Sequence, residues 1–289
     1  IDFTRDRLVE SFLWTVGVGC EPQLAVFRKC LTKVVTFVLV IDDIYDIYGS
    51  LEELECFTSA IERWDYQQVQ QLPDCMKICF KALQKTIDDI ANDILQENGS
   101  AEISTYLRKA WSDFCKALLV EARWYHKCEV PSLEDYLKAA WITSSGPLIS
   151  LIALLCTANT ESEELRDEWG QSQKLIYHAS LIIRLCNDLG TSAAELERGD
   201  TPSSIRCYMM EASVTEDIAR EHIKKIISVT WSHVNSELIS RCSEQETFVS
   251  LIINAVRVCH FIYLNGDGFS VQDQDTRKQV KHLLIKPVR

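Results

Sequence analysis

The chain has 289 residues, a formal charge of −12 and 47% apolar residues, enough to bury a sizeable core. So acidic a balance excludes nucleic acid and anionic membranes as default partners. Ten glycines and six prolines are few, and no Pro/Gly/Ser-rich linker, low-complexity tract or compositional break divides the sequence, so one domain is expected over residues 1–289.

Helical patterning runs through nearly the whole chain. Pro22 suits a helix start, and the pattern after it continues to about Tyr48, where Gly49 stops it. Ser50 with Glu53 is a capping-box signature for a helix reaching about Asp65. Pro73 opens another to about Gln96, and Leu107 to His126 forms the next. Pro131-Ser132 with Asp135 starts a helix to about Cys156, inside which Gly146-Pro147 predicts a kink. Glu163 to Leu196, Thr215 to Leu238 and Glu246 to Leu264 complete the main set. Strand-type alternation is absent, so the expected class is all-α, with roughly ten or more helices.

Twelve cysteines are scattered through apolar helical stretches with no CxxC pair, which fits buried free thiols better than a disulfide framework. Apolar runs such as Leu148 to Cys156 fall well short of the roughly 20 residues needed to span a bilayer, so no membrane partner is expected. No signal peptide is visible, and the abrupt start at Ile1 reads as a piece of a longer protein.

Chemistry concentrates in two places. Val34 to Ile41 is apolar all round, hence buried, yet Asp42, Asp43 and Asp46 follow directly. Asp42 and Asp46, four apart, share a helix face. Like charges so placed call for a cation, and flexible carboxylate oxygens suit magnesium or manganese. The second stripe is Asn187, Thr191 and Glu195, an amide oxygen, a hydroxyl and a carboxylate along two helical turns after the apolar Leu181-Ile182-Ile183. Two such stripes facing across a bundle could hold several magnesium ions. Magnesium prefers to share phosphate oxygens with one or two carboxylates, which points to a diphosphate-bearing substrate. Arg184, one turn before Asn187, and the pair Arg5 and Arg7 supply bidentate-capable cations. P-loop, GxGxxG, GxSxG, HExxH and Glu-x-x-His patterns are all missing.

Together, Arg5-Asp6-Arg7, Asp42-Asp43-Ile44-Tyr45-Asp46 and Asn187 to Glu195 resemble the motifs of class I plant terpene synthases, more narrowly the monoterpene synthase branch of flowering plants. Arg5 to Trp14, Glu62-Arg63-Trp64-Asp65 and Asn265-Gly266-Asp267-Gly268 extend the likeness from end to end. The resemblance implies the class I terpenoid-synthase helical bundle around an apolar cavity. It also implies an enzyme that ionises geranyl diphosphate and converts the carbocation to a monoterpene. Asp42 and Asp46 would hold magnesium from one side, and Asn187, Thr191 and Glu195 from the other. Three magnesium ions are implied, with manganese as a possible substitute, and Asp43 would stand behind the ligands. Arg5, Arg7 and Arg184 would grip the diphosphate. Trp14, Tyr45 and Tyr263 would line the cavity, and the Gly146 break would turn carbonyls toward the cation. A plastid location follows for the monoterpene branch, or the cytosol for a sesquiterpene enzyme, and an N-terminal α domain would precede this catalytic one. Ser203 stands where many members carry a lysine, and Leu264 where many carry a histidine. Dimethylallyl or farnesyl diphosphate, chain elongation and a non-catalytic prenyl-diphosphate binder remain alternatives, and neither the product nor the oligomeric state is legible.

Overall fold

The computed structural model describes residues 6–98, 102–158, 162–198, 202–240, 246–264, 266–268 and 278. In chain order come α1 (Leu8–Val18), α2 (Ala25–Asp43), α3 (Leu51–Arg63), α4 (Asp74–Asn98), α5 (Ile103–His126) and α6 (Leu133–Thr143). They are followed by α7 (Gly146–Thr157), α8 (Ser162–Gln171), α9 (Gln173–Arg198), α10 (Ser204–Ala212), α11 (Glu216–Ser240) and α12 (Glu246–Ile262). No strand occurs among the described residues.

Side-chain caps fix several starts. The capping box forms at α3, where Ser50 Oγ accepts from the Glu53 amide and Glu53 Oε2 accepts from the Ser50 amide. Ser132 caps α6, and Ser203 caps α10 by accepting from the Arg206 amide.

Three helices end differently from the sequence expectation. The helix expected to run to Tyr48 closes at Asp43 and continues as a π-helical turn, Ile44–Tyr48, in which the Gly49 amide reaches back to the Ile44 carbonyl. The wider winding lets Tyr45 reach α3, where its hydroxyl meets Thr58 Oγ1 at 2.6 Å. The kink expected at Gly146-Pro147 is a full break. Ser145 turns left-handed at φ 62°, and Pro147 sits in the first turn of α7, where its missing N–H costs nothing. Finally, the helix expected from Glu163 to Leu196 divides at Ser172. Gly170 loosens the backbone there, and the Ser172 hydroxyl bonds Glu168 Oε1 at 3.2 Å.

The packing order places two helices at the centre. α9 packs against α6, α7, α10, α11 and α12, while α2 packs against α1, α4 and α7. α12 closes the ring against α1 and α7. Leu148, Ile149, Leu151, Ile152, Leu154 and Leu155 of α7 are all buried, each contributing about 1.5–3 kcal/mol. The stretch Leu133–Thr157 is long and apolar enough to cross a membrane, with mean hydropathy 1.7 over a window 67% buried. Its break at Ser144-Ser145 and its burial mark it as the core of this bundle. The described cysteines are free thiols, and burial pushes Cys115 up to about 12.

Two predictions follow from this packing. A Cβ on Gly146 would lie 2.8 Å from the Ser180 Cα, backbone that cannot swing aside. Gly146→Ala should therefore cost about 1–3 kcal/mol, read as a lowered urea midpoint at unchanged slope. Between α9 and α11, His178 and His233 stack with centroids 4.9 Å apart, and His178 Nδ1 is buried without a partner among the described residues. Burial first, then His233, holds His178 below the ordinary imidazole value; Lys174 lowers it further and Glu237 opposes. The unfolded chain thus takes up this proton first, and the stabilising contribution is lost as pH falls through about 6.5. Thermal unfolding at about pH 7 and pH 5 should show a smaller acid-induced drop in His178→Gln than in the parent.

Candidate functional site

Six elements converge on one cavity of about 160 Å³. Trp14 of α1 stands on one wall, and Val35, Val38, Leu39 and Asp42 of α2 form the next. Thr143, Ser144, Ser145 and Ile149 bring the α6–α7 break to its edge. Ile183, Arg184 and Asn187 come from α9, Cys259 from α12 and Tyr263 from just beyond it. The two acidic stripes therefore do meet, through Asp42 and Asn187, across an apolar chamber.

Part of the lining is apolar, from Val35, Val38, Leu39, Ile149 and Ile183, and part is polar, from Asp42, Thr143, Ser144, Ser145, Arg184 and Asn187. Cys259 donates its thiol to the Ile183 carbonyl at 3.3 Å, and burial pushes it well above the ordinary thiol range, so it stays protonated. The Trp14 and Tyr263 rings supply aromatic faces. A Cβ on Gly190 would stand 2.9 Å from the Tyr263 ring and 3.0 Å from the Gly266 carbonyl, so glycine lets that segment lie against α9 beside Thr191. Leu264 is 71% exposed.

Of the expected oxygen donors, Asp42 and Asn187 border the cavity. Asp42 is half-buried, Asp46 exposed on the π-helical turn and Asp43 buried at 3% exposure. Four residues are slightly more than one α-turn and slightly less than one π-turn, so Asp42 and Asp46 keep one side of the chain. On α9 the buried Thr191 hydroxyl donates to the Asn187 carbonyl at 3.0 Å, leaving its oxygen lone pairs available. Glu195 lies on the same helix, its side chain outside those described. No three His, Cys, Asp or Glu side chains converge among the described residues. The oxygen chemistry of Asp42, Asp46, Asn187 and Thr191 fits a hard ion that keeps waters and takes ligand phosphate oxygens.

Arg184 sits in a built environment. Its Nε donates to Tyr136 Oη at 2.7 Å and to Asp188 Oδ1 at 2.9 Å, and Nη1 meets Thr143 Oγ1 at 3.3 Å. Nη2 lies 3.6 Å from Glu121 Oε2. Asp188, fully buried, also accepts from the Tyr136 hydroxyl and from the Ser204 amide at the start of α10. Glu121 accepts from Thr143 Oγ1 at 2.6 Å. Residue-type patterning does not single out Tyr136, Glu121 or Thr143; Asp188 carried a signal, a carboxylate four residues after an arginine in an apolar helix.

Not every expected residue reaches the cavity. Tyr45 is buried at 4% exposure with its ring 6.3 Å from Phe57, and so turns away into the α3 core. Gly146 packs on Ser180, and its neighbours Ser144 and Ser145 face the chamber instead. Arg7 stands at the head of α1 and pairs with Glu10 at 3.4 Å, while Arg5 lies outside the described residues. A larger apolar groove of about 800 Å³ runs along the outer side of α7, between Phe114, Trp141, Leu151 and Trp169. Neither acidic stripe borders it.

Comparison with known proteins places this architecture. The family model described as "Terpene synthase family, metal binding domain" matches residues 1–233. An alpha-farnesene synthase of Ricinus communis is 48% identical over 291 residues, covering 100% of this chain and 52% of that protein. The structure of a limonene synthase with 2-fluorolinalyl diphosphate superposes with a TM-score of 0.92 at 38% identity, covering 100% of this chain and 53% of that one. That of isoprene synthase from Populus x canescens, with three Mg2+ ions and dimethylallyl-S-thiolodiphosphate, gives 0.90 at 42%, covering 100% and 55%. The chain thus spans about half the length of the relatives it matches. On a match over most of its length, carried by a helical bundle with two oxygen-donor stripes meeting at one cavity, this chain belongs to the plant terpene synthase family.

Proposed function

We propose that this chain is the catalytic α domain of a magnesium-dependent terpene synthase acting on geranyl diphosphate. The observation that carries the reading is the meeting of Asp42, Asn187 and Arg184 at the edge of one apolar chamber. Asp42 and Asp46 hold magnesium from the α2 side, and Asn187, Thr191 and Glu195 from α9, with manganese as a substitute. Bound there, the metal neutralises negative charge on the leaving diphosphate. Arg184, with Arg5 and Arg7, donates hydrogen bonds to the same group and so favours cleavage of the allylic C–O bond. Trp14 and Tyr263 face the carbocation with their rings. The protonated Cys259 and the aliphatic walls offer it no strong nucleophile and exclude water. Ser144 and Ser145 present the polar edge of the α6–α7 break to the same intermediate.

The ten-carbon reading rests on the likeness of the arginine and metal motifs to the monoterpene branch. The chamber, about 160 Å³, is close to the roughly 150 Å³ apolar cavity that takes up benzene, a six-carbon guest, so its volume accommodates a five-carbon chain at least as readily. The farnesyl reading is favoured by the 48% identity to a farnesene synthase. A plastid stroma accompanies the first reading and the cytosol the second.

Incubating the protein at its natural length with geranyl diphosphate, with and without magnesium, and reading volatiles by gas chromatography and mass spectrometry separates these. We expect a magnesium-dependent monoterpene, reduced about 100-fold in Asp42→Ala. Parallel vials with five- and fifteen-carbon diphosphates fix the chain length. Turnover within a few-fold of the parent in Asp42→Ala would sink the metal assignment.

A further inference from the structure

Among the described residues, Tyr136 is the phenol that touches both Arg184 and Asp188 at the cavity edge. It lies on α6, fully buried, and its hydroxyl stands 2.7 Å from Arg184 Nε and 3.0 and 2.9 Å from the two Asp188 oxygens. Directionality settles the bonding. Arg184 Nε can only donate and the Asp188 carboxylate can only accept, so the phenol gives its proton to Asp188 and takes the Nε hydrogen on its oxygen. Burial pushes the Tyr136 hydroxyl well above the ordinary phenol range, so that proton stays in place. The Arg184 Cζ also lies 5.4 Å from the centre of the Tyr136 ring.

We propose that Tyr136 is a positioning residue for Arg184, fixing which edge of the guanidinium is spent on the protein and which is presented to the diphosphate. The single Nε hydrogen is shared between Tyr136 and Asp188, two acceptors on different helices. Asp188 is in turn held by the Ser204 amide of α10. With α6 and α9 both gripping the Nε edge, the Nη edge stays turned toward the cavity wall, where Nη1 lies 3.3 Å from Thr143 Oγ1 and Nη2 3.6 Å from Glu121 Oε2. Those two contacts are the longer ones, so the short Nε bonds to Tyr136 and Asp188 set the plane of the guanidinium. Phenylalanine at this position would keep the ring and the packing and remove only the shortest of the four contacts. This inference rests on the reading of Arg184 as a diphosphate contact.

A double-mutant cycle tests it, with inorganic diphosphate and magnesium as the probe and titration calorimetry as the readout. The protein is used at its natural length. Tyr136→Phe is compared with the parent, and Tyr136→Phe/Arg184→Lys with Arg184→Lys, which keeps the charge but has no Nε edge to hold. We expect Tyr136→Phe to weaken diphosphate binding about tenfold alone and less than twofold in the Arg184→Lys background. Thermal unfolding of each variant shows that the fold is retained. An equal loss in both backgrounds would make Tyr136 a packing residue, and no loss in either would leave it no part in binding; both overturn the proposal. Arg184→Lys binding as tightly as the parent would instead overturn the assignment of Arg184 to diphosphate, and this inference with it.

Discussion

The site depends on one guanidinium held between two carboxylates. Arg184 reaches Asp188 on its own helix, Glu121 on α5 and Tyr136 and Thr143 on α6, while Asp188 reaches the head of α10. Four helices are thereby tied at the level of the cavity mouth. Removing one partner from such a buried pair typically costs about 3–5 kcal/mol, because the other charge is left uncompensated. Hydrophobic burial holds the bundle together, and the charged network adds a further constraint on register, since a shift of one residue would break several bonds at once.

The network also explains how a polar mouth and an apolar chamber coexist a few ångströms apart. Thr143 closes α6, donates to Glu121 and receives Arg184, so the end of α6 is anchored before the chain turns through Ser145. That anchoring, with Gly146 set against Ser180, holds the break open without flexibility. Below it the walls are Val35, Val38, Ile149 and Ile183, and the nearest thiol is protonated. The proposed carbocation chemistry would need both features: donors confined to the rim, and nothing nucleophilic beneath.

The charged stripes were the most legible part of the sequence. Asp42 and Asp46 stood out because carboxylates following an apolar run must answer to something. The Ser50 capping box was equally readable as local chemistry, and Gly146-Pro147 announced an interruption, though as a kink and not as the full break the left-handed Ser145 makes. Tyr136 was not, because a tyrosine on an amphipathic helix reads as core until α6 crosses α9. Tyr45 was misplaced for a related reason. In an α-helix it would sit near the two aspartates, but the π-helical turn swings it to Thr58, and no residue pattern announces that turn. The division at Ser172 is subtler still, since the ladder bonds from the Ser172 amide to Glu168 and from the Ile176 amide to Ser172 are both kept.

Charge at the mouth finally constrains the order of events in the proposed reaction. Among the described residues bordering the cavity, Arg184 faces Glu121 and Asp188, and Asp42 adds further negative charge, with Asp46 one turn on. A bare diphosphate approaching that rim would meet net repulsion, whatever the apolar chamber offers its tail. Divalent cations reverse the sign, so metal and diphosphate must each raise the affinity for the other, and by the same factor. If the acidic stripes hold the metals as proposed, they would also disfavour the anion without its metals, and the proposed ionisation would then follow metal binding.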